Sequence, residues 1–418
     1  MKLQTNIEFN KKLPDTMHID INSCFATIEQ QANPKFRGKP LGVAAYANDA
    51  ACILAASVEA KKLGIKTGTR VYEAKKIYPQ IIILEPDPDK YRYVHKKMGD
   101  ILNQYSNDIE PKSIDEFVIH FANTQSLKTG LVETGKEIKK RIKAEIGEWI
   151  TVSIGIGPNR FLAKTGAGLH KPDGLDLIDI HGYYDVYSKL ELTDLCGINK
   201  QYKYRLNSSG IFNVVQFYNS DYFKLKSVFK SIHAYHWYMR LRGWEVDVFK
   251  TKRGSFNHSY ILPHVKTKDD EILPILQKLV EKLGYRIRSK GYTASGIHLM
   301  VCFEYKNFSN KYFRYWDRGI NLKSEMTSSI DMYKEVYRIY RSCPYKNDPT
   351  RQLSITCFYL NDKDQYQLKL FEDMKRKKDF ARGIDMINEK WGLFTIKPAL
   401  MLGTDNEAPD RISFGRVG

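Results

Sequence analysis

Three carboxylates are the side chains of this sequence best suited to chemistry. Asp115 and Glu116 are adjacent in a short polar stretch between two apolar, β-prone runs, and Asp20 lies near the end of the apolar run 16–22. Neighbouring side chains on a regular strand point to opposite faces, so Asp115 and Glu116 can share a ligand only at a bend. Carboxylates held together at neutral pH usually need a cation or a shared proton. An isolated Asp-Glu pair is most often a solvated hairpin tip, so the surrounding elements must decide its meaning.

The elements around these carboxylates follow a recognisable order. Apolar residues at three-four spacing predict helices over 91–105 and 131–146. Predicted strands occupy 16–22, both sides of the Asp115-Glu116 bend, and 151–157. This β-α-β-β-α-β order is that of the ferredoxin-like fold. Residues 23 to about 80, which include a predicted hairpin over 41–56, then form an insertion after the first strand. A further strand is predicted at 81–84, just after the insertion.

That topology predicts a metal site. The first and third strands of the split βαβ sheet are antiparallel neighbours, so Asp20 is expected beside Asp115 and Glu116 although 95 residues separate Asp20 from Asp115. Such an oxygen-rich cluster suits Mg²⁺, and the backbone carbonyl of Ile21 could add a ligand. Two such ions are the apparatus of in-line phosphoryl or nucleotidyl transfer.

Composition indicates the partner and the compartment. The 418 residues carry a formal charge of +18, which predicts affinity for a polyanion. The six cysteines include no CxxC pair, which argues against a zinc site or a disulfide framework and suits a reducing cytosol. No membrane span and no signal-peptide pattern is found in the sequence. We therefore expect a cytoplasmic protein that binds nucleic acid and has no membrane partner.

Three separated motifs carry a family resemblance. The stretches His-Ile-Asp-Ile-Asn-Ser-Cys-Phe-Ala (18–26), Ser-Ile-Asp-Glu-Phe (113–117) and Ser-Ile-Gly-Ile-Gly-Pro-Asn-Arg-Phe-Leu-Ala-Lys (153–164), the last followed by Lys-Pro-Asp-Gly (171–174), resemble the signatures of Y-family translesion DNA polymerases. The resemblance runs over nearly the whole chain. It implies an α+β multidomain, right-hand polymerase with a ferredoxin-like palm, small fingers, a helical thumb and an α/β little finger.

The resemblance also implies domain boundaries and roles. The palm would comprise 1–22 and 80–174, the fingers 23–79, the thumb 175–249, the little finger 250–362 and the C-terminal tail 363–418. Asp20, Asp115 and Glu116 match the metal carboxylates, which would hold two Mg²⁺ ions that Mn²⁺ can replace. Phe25 matches the aromatic steric gate beneath the sugar of the incoming nucleotide, and Lys171 matches a lysine that contacts its triphosphate.

One position departs from the DinB-type pattern. Val58 and Lys61 stand where DinB-type members usually carry a tyrosine and an arginine that bind the triphosphate. Valine cannot donate a hydrogen bond, and lysine replaces a bidentate fork with a point charge. The Glu-Ala-Lys-x-Leu-Gly form is similar to the UmuC-like branch, which includes the catalytic subunit of DNA polymerase V. We therefore predict a UmuC-like enzyme in which Lys61 remains a nucleotide-binding residue.

The C-terminal half is expected to grip DNA. The segments 195–199 and 206–211 resemble a helix-hairpin-helix, whose backbone N–H groups can bind phosphates. An ordinary turn between helices could have the same sequence pattern, so this motif alone does not decide between the two. Residues 250–362 contain 20 Lys or Arg and 11 Asp or Glu, a net charge of +9. Half of the excess charge thus lies in about a quarter of the chain, as contact with a DNA backbone requires. Predicted strands cover 292–305 and 352–360, and predicted helices cover 272–290 and 326–340.

A short peptide follows the predicted little finger. Gln367, Leu368, Leu370 and Phe371 resemble the bacterial sliding-clamp-binding peptide, although a short Q-L-x-L-F also arises by chance on an amphipathic edge segment. The partners implied by the resemblance are primer–template DNA, deoxynucleoside triphosphates, the sliding clamp, and a recombinase or accessory SOS proteins.

The leading hypothesis is an error-prone, template-directed DNA polymerase that performs translesion synthesis in SOS damage tolerance. A DinB-type lesion-bypass polymerase is the alternative within the family. A nucleotide cyclase on the same palm and a clamp-docked scaffold that has lost catalysis are the alternatives outside it. Phe25, the basic residues 250–362 and the clamp-binding peptide argue against the cyclase. The three intact carboxylates argue against the scaffold.

Overall fold

The protein is described by a computed structural model that covers residues 7–46, 48–247, 253–306, 311–362 and 374–410. The chain divides into two compact units, the first up to residue 247 and the second over 253–410. All six cysteines are free thiols. Among the described residues, none of the helices has both the length and the apolar composition needed to cross a membrane.

The first unit contains eight strands and twelve helices among its described residues. In chain order these are β1 (Thr16–Ile21), α1 (Cys24–Ala32), β2 (Leu41–Ala44), β3 (Ile53–Ala56), α2 (Val58–Lys62), α3 (Val71–Ile77), β4 (Ile82–Leu84), α4 (Pro88–Leu102), β5 (Asp108–Pro111), β6 (Glu116–His120), α5 (Gln125–Thr129), α6 (Leu131–Glu145), β7 (Val152–Gly157), α7 (Arg160–Leu169), β8 (Leu175–Leu177), α8 (Tyr183–Lys189), α9 (Lys200–Ser208), α10 (Val214–Asn219), α11 (Tyr222–Phe229) and α12 (His233–Arg240).

The large sheet has the predicted ferredoxin-like topology. Its strand order is β5-β6-β1-β7-β8, and β1 runs antiparallel to both β6 and β7. β1 and β7 are buried almost throughout, which explains their small and β-branched composition. Helices α4 and α6 pack their apolar faces into the core of this sheet. The prediction that the first and third strands are antiparallel neighbours is confirmed.

A second, three-stranded sheet has the order β3-β2-β4. The antiparallel pair of β2 and β3 confirms the predicted hairpin. Strand β4 pairs in parallel with β2, so the strand predicted at 81–84 extends this small sheet and not the large one. The small sheet has its own core, built from alanines and isoleucines with Val71.

A third core of the first unit is formed by helices α8 to α12. It contains the aromatic residues Tyr187, Phe217, Phe229, Trp237 and Tyr238. Phe9 joins this core from the N-terminal segment, where its ring stacks on Tyr183 with centroids 4.0 Å apart. The segment around residue 9 thus packs with the helical region that follows β8.

The second unit is a four-stranded sheet covered by helices. Its elements are β9 (Ser255–Lys266), α13 (Asp269–Ser289), β10 (Tyr292–Lys306), β11 (Lys311–Met326), α14 (Ser329–Arg341), β12 (Thr350–Asp362) and α15 (Met374–Trp391). The strand order is β11-β10-β12-β9, all antiparallel. The predicted strands and helices of this region are confirmed within a few residues at each end, whereas β9 and β11 were not predicted as strands.

The described part of the tail belongs to the second unit. Arg288 of α13 makes two hydrogen bonds to Asp385 of α15, at 2.7 and 2.8 Å. Further along, Lys278 donates to the carbonyl oxygen of Thr404 at 2.6 Å, and Lys282 to that of Ala408 at 2.6 Å. Residues 374–410 are therefore built onto α13.

Candidate active site

The pairing of β1 with β6 brings two of the predicted carboxylates together. Asp20 lies directly opposite Glu116 in the register of these strands. Asp115 lies in the bend just before β6. Its backbone is not part of the regular strand, so the side chains of Asp115 and Glu116 are not forced onto opposite faces of the sheet. The backbone N–H of Ile21 donates to the carbonyl oxygen of Asp115 at 3.0 Å, and Ser113 Oγ donates to Asp115 Oδ1 at 2.5 Å. The end of β1 is thus tied to the Asp115 bend.

A histidine that the sequence analysis did not select joins this edge. Atoms of His18, Asp20 and Glu116 that could coordinate a metal ion lie within 4.8 Å of one another, while Asp115 is not part of that group. His18 is two residues before Asp20 on β1, so both side chains lie on the same face of the sheet. Period-two spacing could have identified His18 from the sequence. Both of its ring nitrogens are buried and lack a hydrogen-bond partner within the described residues.

Two lysines neutralise the carboxylates. Lys171 Nζ donates to Asp20 Oδ2 at 2.6 Å, and Lys164 Nζ donates to both oxygens of Glu116 at 2.8 Å. Lys164 lies on α7. The N-cap of this helix is Asn159, whose side chain accepts from the N–H of Leu162 at 2.8 Å. Lys164 lies within the 153–164 motif, but the sequence did not indicate its contact with Glu116.

A glycine sets the distance between α7 and the sheet. A Cβ atom on Gly155 of β7 would lie 2.0 Å from the carbonyl oxygen of Ala163 and 2.1 Å from the nitrogen of Ala167. Only a residue without a side chain allows the backbone of α7 to pack directly on β7. This close packing brings Lys164 within reach of Glu116.

The loop that carries Lys171 is held by the neighbouring helix α6. Lys139 of α6 donates to the carbonyl oxygen of Asp173, and Lys143 donates to Asp173 Oδ2 at 2.9 Å. Both lysines are thereby used in fixing the loop, so the Lys171 side chain projects from an anchored segment.

Burial and charge set the protonation of the site. Burial raises the pKa of Asp20. The positive charge and hydrogen bond of Lys171 act in the opposite direction, whereas the negative charges of Glu116 and Asp115 raise this pKa further. Burial acts most strongly on Glu116 and opposes its ionisation, but the hydrogen bond from Lys164 and the nearby positive charges together outweigh burial and hold the pKa of Glu116 below its usual value. Burial lowers the pKa of His18 to about 3, so His18 is neutral at physiological pH.

Most of the predicted site residues line one cavity of about 520 Å³. Its wall includes Asp20, Ile21, Phe25, Lys61, Asp115 and Lys171. Val58 also lines it, at the position where the sequence departs from the DinB-type pattern. Acidic groups and lysines thus face the same space, as a site for a metal–polyphosphate complex requires.

Lys61 enters this cavity from α2. The N-terminus of α2 is capped by Ser57, whose Oγ accepts from the N–H of Ala60 at 3.2 Å. Burial lowers the pKa of Lys61, and the positive charge of Lys171 lowers it further. The charges of the two lysines therefore act on each other, and both side chains contribute positive charge to the lining of the cavity.

Helix α4 supports the site through two residues one turn apart. Tyr91 stacks on Phe25, with ring centroids 4.4 Å apart. His95 stacks on Phe117 at 4.6 Å, and its Nδ1 lies 3.0 Å from the carbonyl oxygen of Ile114, next to Asp115. The i, i+4 spacing was visible in the sequence, but only the fold shows what these rings contact.

The side chains of His18, Asp20 and Glu116 fit a divalent cation as ligands. Carboxylate oxygens of Asp20 and Glu116 are hard ligands, and His18 beside them, whose buried ring nitrogens have no hydrogen-bond partner within the described residues, could supply a nitrogen.

The predicted clamp-binding residues Gln367, Leu368, Leu370 and Phe371 lie outside the described residues.

Comparisons with known proteins follow the same division of the chain. Residues 19–167 match the model of the impB/mucB/samB family, and residues 255–370 match that of the impB/mucB/samB family C-terminal domain. Together the two matches span more than half of the chain.

Two relatives illustrate the similarity. DNA polymerase IV 1 of Bacillus subtilis is 29% identical over 420 residues, covering 96% of each chain. DNA polymerase IV of Clostridium perfringens (strain 13 / Type A) is 27% identical, covering 84% of this chain and 95% of its own. Among solved structures, a Y-family DNA polymerase chimera of Dbh and Dpo4 superposes with a TM-score of 0.71 at 24% identity, covering 82% of this chain and 98% of its own.

These relatives bear on the predicted branch. They are named DNA polymerase IV, which favours the DinB-type alternative, so the UmuC-like interpretation drawn from Val58 and Lys61 is not supported. The fold, the two family matches and the acidic sheet edge agree with one another. The chain belongs to the impB/mucB/samB family.

Proposed function

We propose that the chain is a template-directed DNA polymerase of the DNA polymerase IV type, which extends a primer past damaged template bases. One observation carries the proposal. The acidic edge with Asp20 and Asp115 opens into the same 520 Å³ cavity as Phe25, Lys61 and Lys171. A metal site, a sugar-sized aromatic wall and cationic groups for phosphates thus lie together, as nucleotidyl transfer requires.

Asp20, Asp115 and Glu116, with the carbonyl of Ile21, are the residues we assign to metal binding, and Mg²⁺ is the cation their oxygens favour. A pair of divalent ions bound there would stabilise charge on the attacking and leaving oxygens of an in-line displacement. Mn²⁺ has similar ligand preferences and is expected to substitute.

The chain's own residues position the nucleotide. Lys171 and Lys61 are placed to donate to the triphosphate, and their charges offset those of the phosphates. Phe25 forms the wall against which the deoxyribose would rest, where a 2′-hydroxyl collides with the ring. Lys164 holds Glu116 by two hydrogen bonds, which fixes the direction of that carboxylate.

Residues of the second unit are proposed to hold the primer–template. Its strand β11 exposes Arg314, Arg318 and Lys323 along one strand, together with Tyr315, which is 63% exposed. Cationic and aromatic side chains on a sheet suit a phosphate backbone. Solved relatives include an insertion ternary complex of Dbh DNA polymerase, which supports a nucleic-acid role for this chain as well.

The sliding clamp remains part of the proposal through Gln367, Leu368, Leu370 and Phe371. Tethering to a clamp raises the effective concentration of a weakly bound polymerase at the primer end. The position of this peptide, directly after the basic unit, supports the assignment.

Primer extension tests the proposed function. The full chain is incubated with Mg²⁺, the four deoxynucleoside triphosphates and a labelled primer on a template with or without an abasic site. Stepwise, templated extension on both templates is expected, and a primer ending in a dideoxynucleotide serves as the control. Absence of extension on both templates, or formation of a cyclic nucleotide from the triphosphates, would overturn the polymerase assignment.

A further inference from the structure

Tyr91 lies directly behind Phe25. The two rings are nearly parallel, with an interplanar angle of 12° and centroids 4.4 Å apart. Phe25 is 1% exposed and Tyr91 is completely buried, although Phe25 lines the cavity. Phe25 therefore has the cavity at one side and the Tyr91 ring in contact with one of its faces.

Tyr91 is itself fixed by hydrogen bonding. Its hydroxyl donates to Glu29 Oε1 at 3.0 Å, and Lys90 Nζ donates to Glu29 Oε2 at 2.8 Å. Glu29 is 5% exposed and lies one helical turn after Phe25 on α1. Helix α1 thus contacts Tyr91 twice, through the Phe25 ring and through the Glu29 carboxylate.

We propose that Tyr91 is a specificity-determining positioning residue, which fixes the Phe25 ring and thereby sets how strongly the enzyme rejects ribonucleotides. The inference rests on the proposed function, since it concerns the sugar of the nucleotide bound in the same cavity. It extends sugar selection from the ring that meets the nucleotide to the residues behind that ring.

The physical reason is that a steric gate excludes a 2′-hydroxyl only if its ring cannot move away from the sugar. A 2′-hydroxyl adds one oxygen atom, so a ring that yields by roughly an ångström would admit it. Close-packed interiors resist such a movement because every neighbouring side chain would have to shift as well. The stacked ring of Tyr91, held by Glu29, is the neighbour that Phe25 would have to displace.

The test compares ribonucleotide and deoxyribonucleotide use by Tyr91→Leu. The quantity measured is the ratio of kcat/KM for a ribonucleoside triphosphate to that for the matching deoxynucleoside triphosphate, on an undamaged primer–template. General structural damage lowers both values and leaves the ratio unchanged. Loss of the stack is expected to raise the ratio by about threefold to tenfold, the range of an aromatic pair's contribution.

Three further variants isolate the cause. Tyr91→Phe keeps the ring and loses the hydrogen bond to Glu29, so a smaller rise of about twofold is expected. Tyr93→Leu makes the same substitution at a 61% exposed position of α4 and is expected to leave the ratio unchanged. Phe25→Ala removes the gate itself and is expected to give the largest rise.

The outcomes separate the inference from the proposed function. If Phe25→Ala raises the ratio while a folded Tyr91→Leu does not, Tyr91 plays no part in sugar selection and the polymerase assignment stands. If no variant changes the ratio although all extend primers, both the gate and its support are contradicted. Should Tyr91→Leu fail to fold, Tyr91→Phe and Glu29→Ala, which both remove the hydrogen bond to residue 29, decide the matter, and an unchanged ratio in both overturns the inference.

Discussion

Lys171 donates a 2.6 Å hydrogen bond to Asp20, although 151 residues separate them in the sequence. The contact joins the residue we assign to the triphosphate with one of the residues we assign to the metal. Both side chains line one cavity, so any ligand that engages one of them acts on the other.

Lys171→Met is expected to raise the KM for deoxynucleoside triphosphates by about tenfold to a hundredfold, since a charge-assisted hydrogen bond contributes about 1.5–3 kcal/mol. Steady-state kinetics at saturating primer–template measures this. Lys62→Met removes the same charge from the wall of the same cavity and is the matched control. An equal effect of the two substitutions would show that only total charge matters.

Gly155→Ala should destabilise the first unit and impair catalysis together. The added methyl group would meet the backbone of α7 at 2.0 Å, so the helix must move, and Lys164 moves with it. We expect a loss of about 1–3 kcal/mol, as for other overpacked cores. Thermal unfolding measures the effect.

Gly168→Ala is the control for that substitution. It lies on α7 with no heavy atom within 4 Å of the new Cβ. Alanine there should stabilise the helix by about 0.5–1 kcal/mol. If the two glycine variants behave alike, the packing of α7 on β7 is not the cause.

Stability of the second unit should depend on pH through His258 of β9. Burial, reinforced by the positive charges of the nearby Lys282 and Arg286, lowers the pKa of His258 to about 4. Unfolded chains take up the proton near pH 6.5, so the stabilisation is complete above that pH and is lost as the pH falls toward 4. Because His258 is only half-buried, the effect is expected to be on the order of 1–2 kcal/mol.

His258→Gln removes the titrating group and is expected to flatten the pH dependence of unfolding between pH 4 and 6.5. Urea unfolding at several pH values follows the change. An unaltered slope in this variant would assign the pH dependence to other groups.

Replacing Gln367, Leu370 and Phe371 by alanine should abolish stimulation by a loaded sliding clamp. Extension of a short primer without clamp should stay almost unchanged, because the substituted residues are far along the chain from the predicted palm. Extension length at physiological salt, with and without clamp, is the measurement. Stimulation that survives the triple substitution places the docking site elsewhere.

The sequence predicted those features that depend on chain order and periodicity. The apolar patterns of 91–105 and 131–146 and the order of the strands were enough to predict that β1 and β6 are antiparallel neighbours, and therefore that Asp20 lies next to Glu116. Antiparallel pairing leaves little freedom once the topology is known.

Contacts made by single side chains between distant elements could not be predicted. Lys164 reaches Glu116 because Gly155 lets α7 pack closely on β7. Tyr91 reaches Phe25 because α4 packs against α1. Strand β11 was missed because its many exposed, charged residues hide the pattern of a half-buried strand. The strand at 81–84 was placed near the palm because nothing in its sequence shows that its partner is β2.

The most direct test of the account is primer extension by Asp20→Ala and Asp115→Ala, measured beside DNA binding. Both residues line the cavity that we assign to the nucleotide and its metal ions. Loss of several kcal/mol of transition-state stabilisation corresponds to about a thousandfold slower single-turnover extension. We predict that loss with unchanged affinity for primer–template, because the basic second unit is untouched. Extension by either variant at near the parent rate would contradict the assignment of this acidic edge as the catalytic centre.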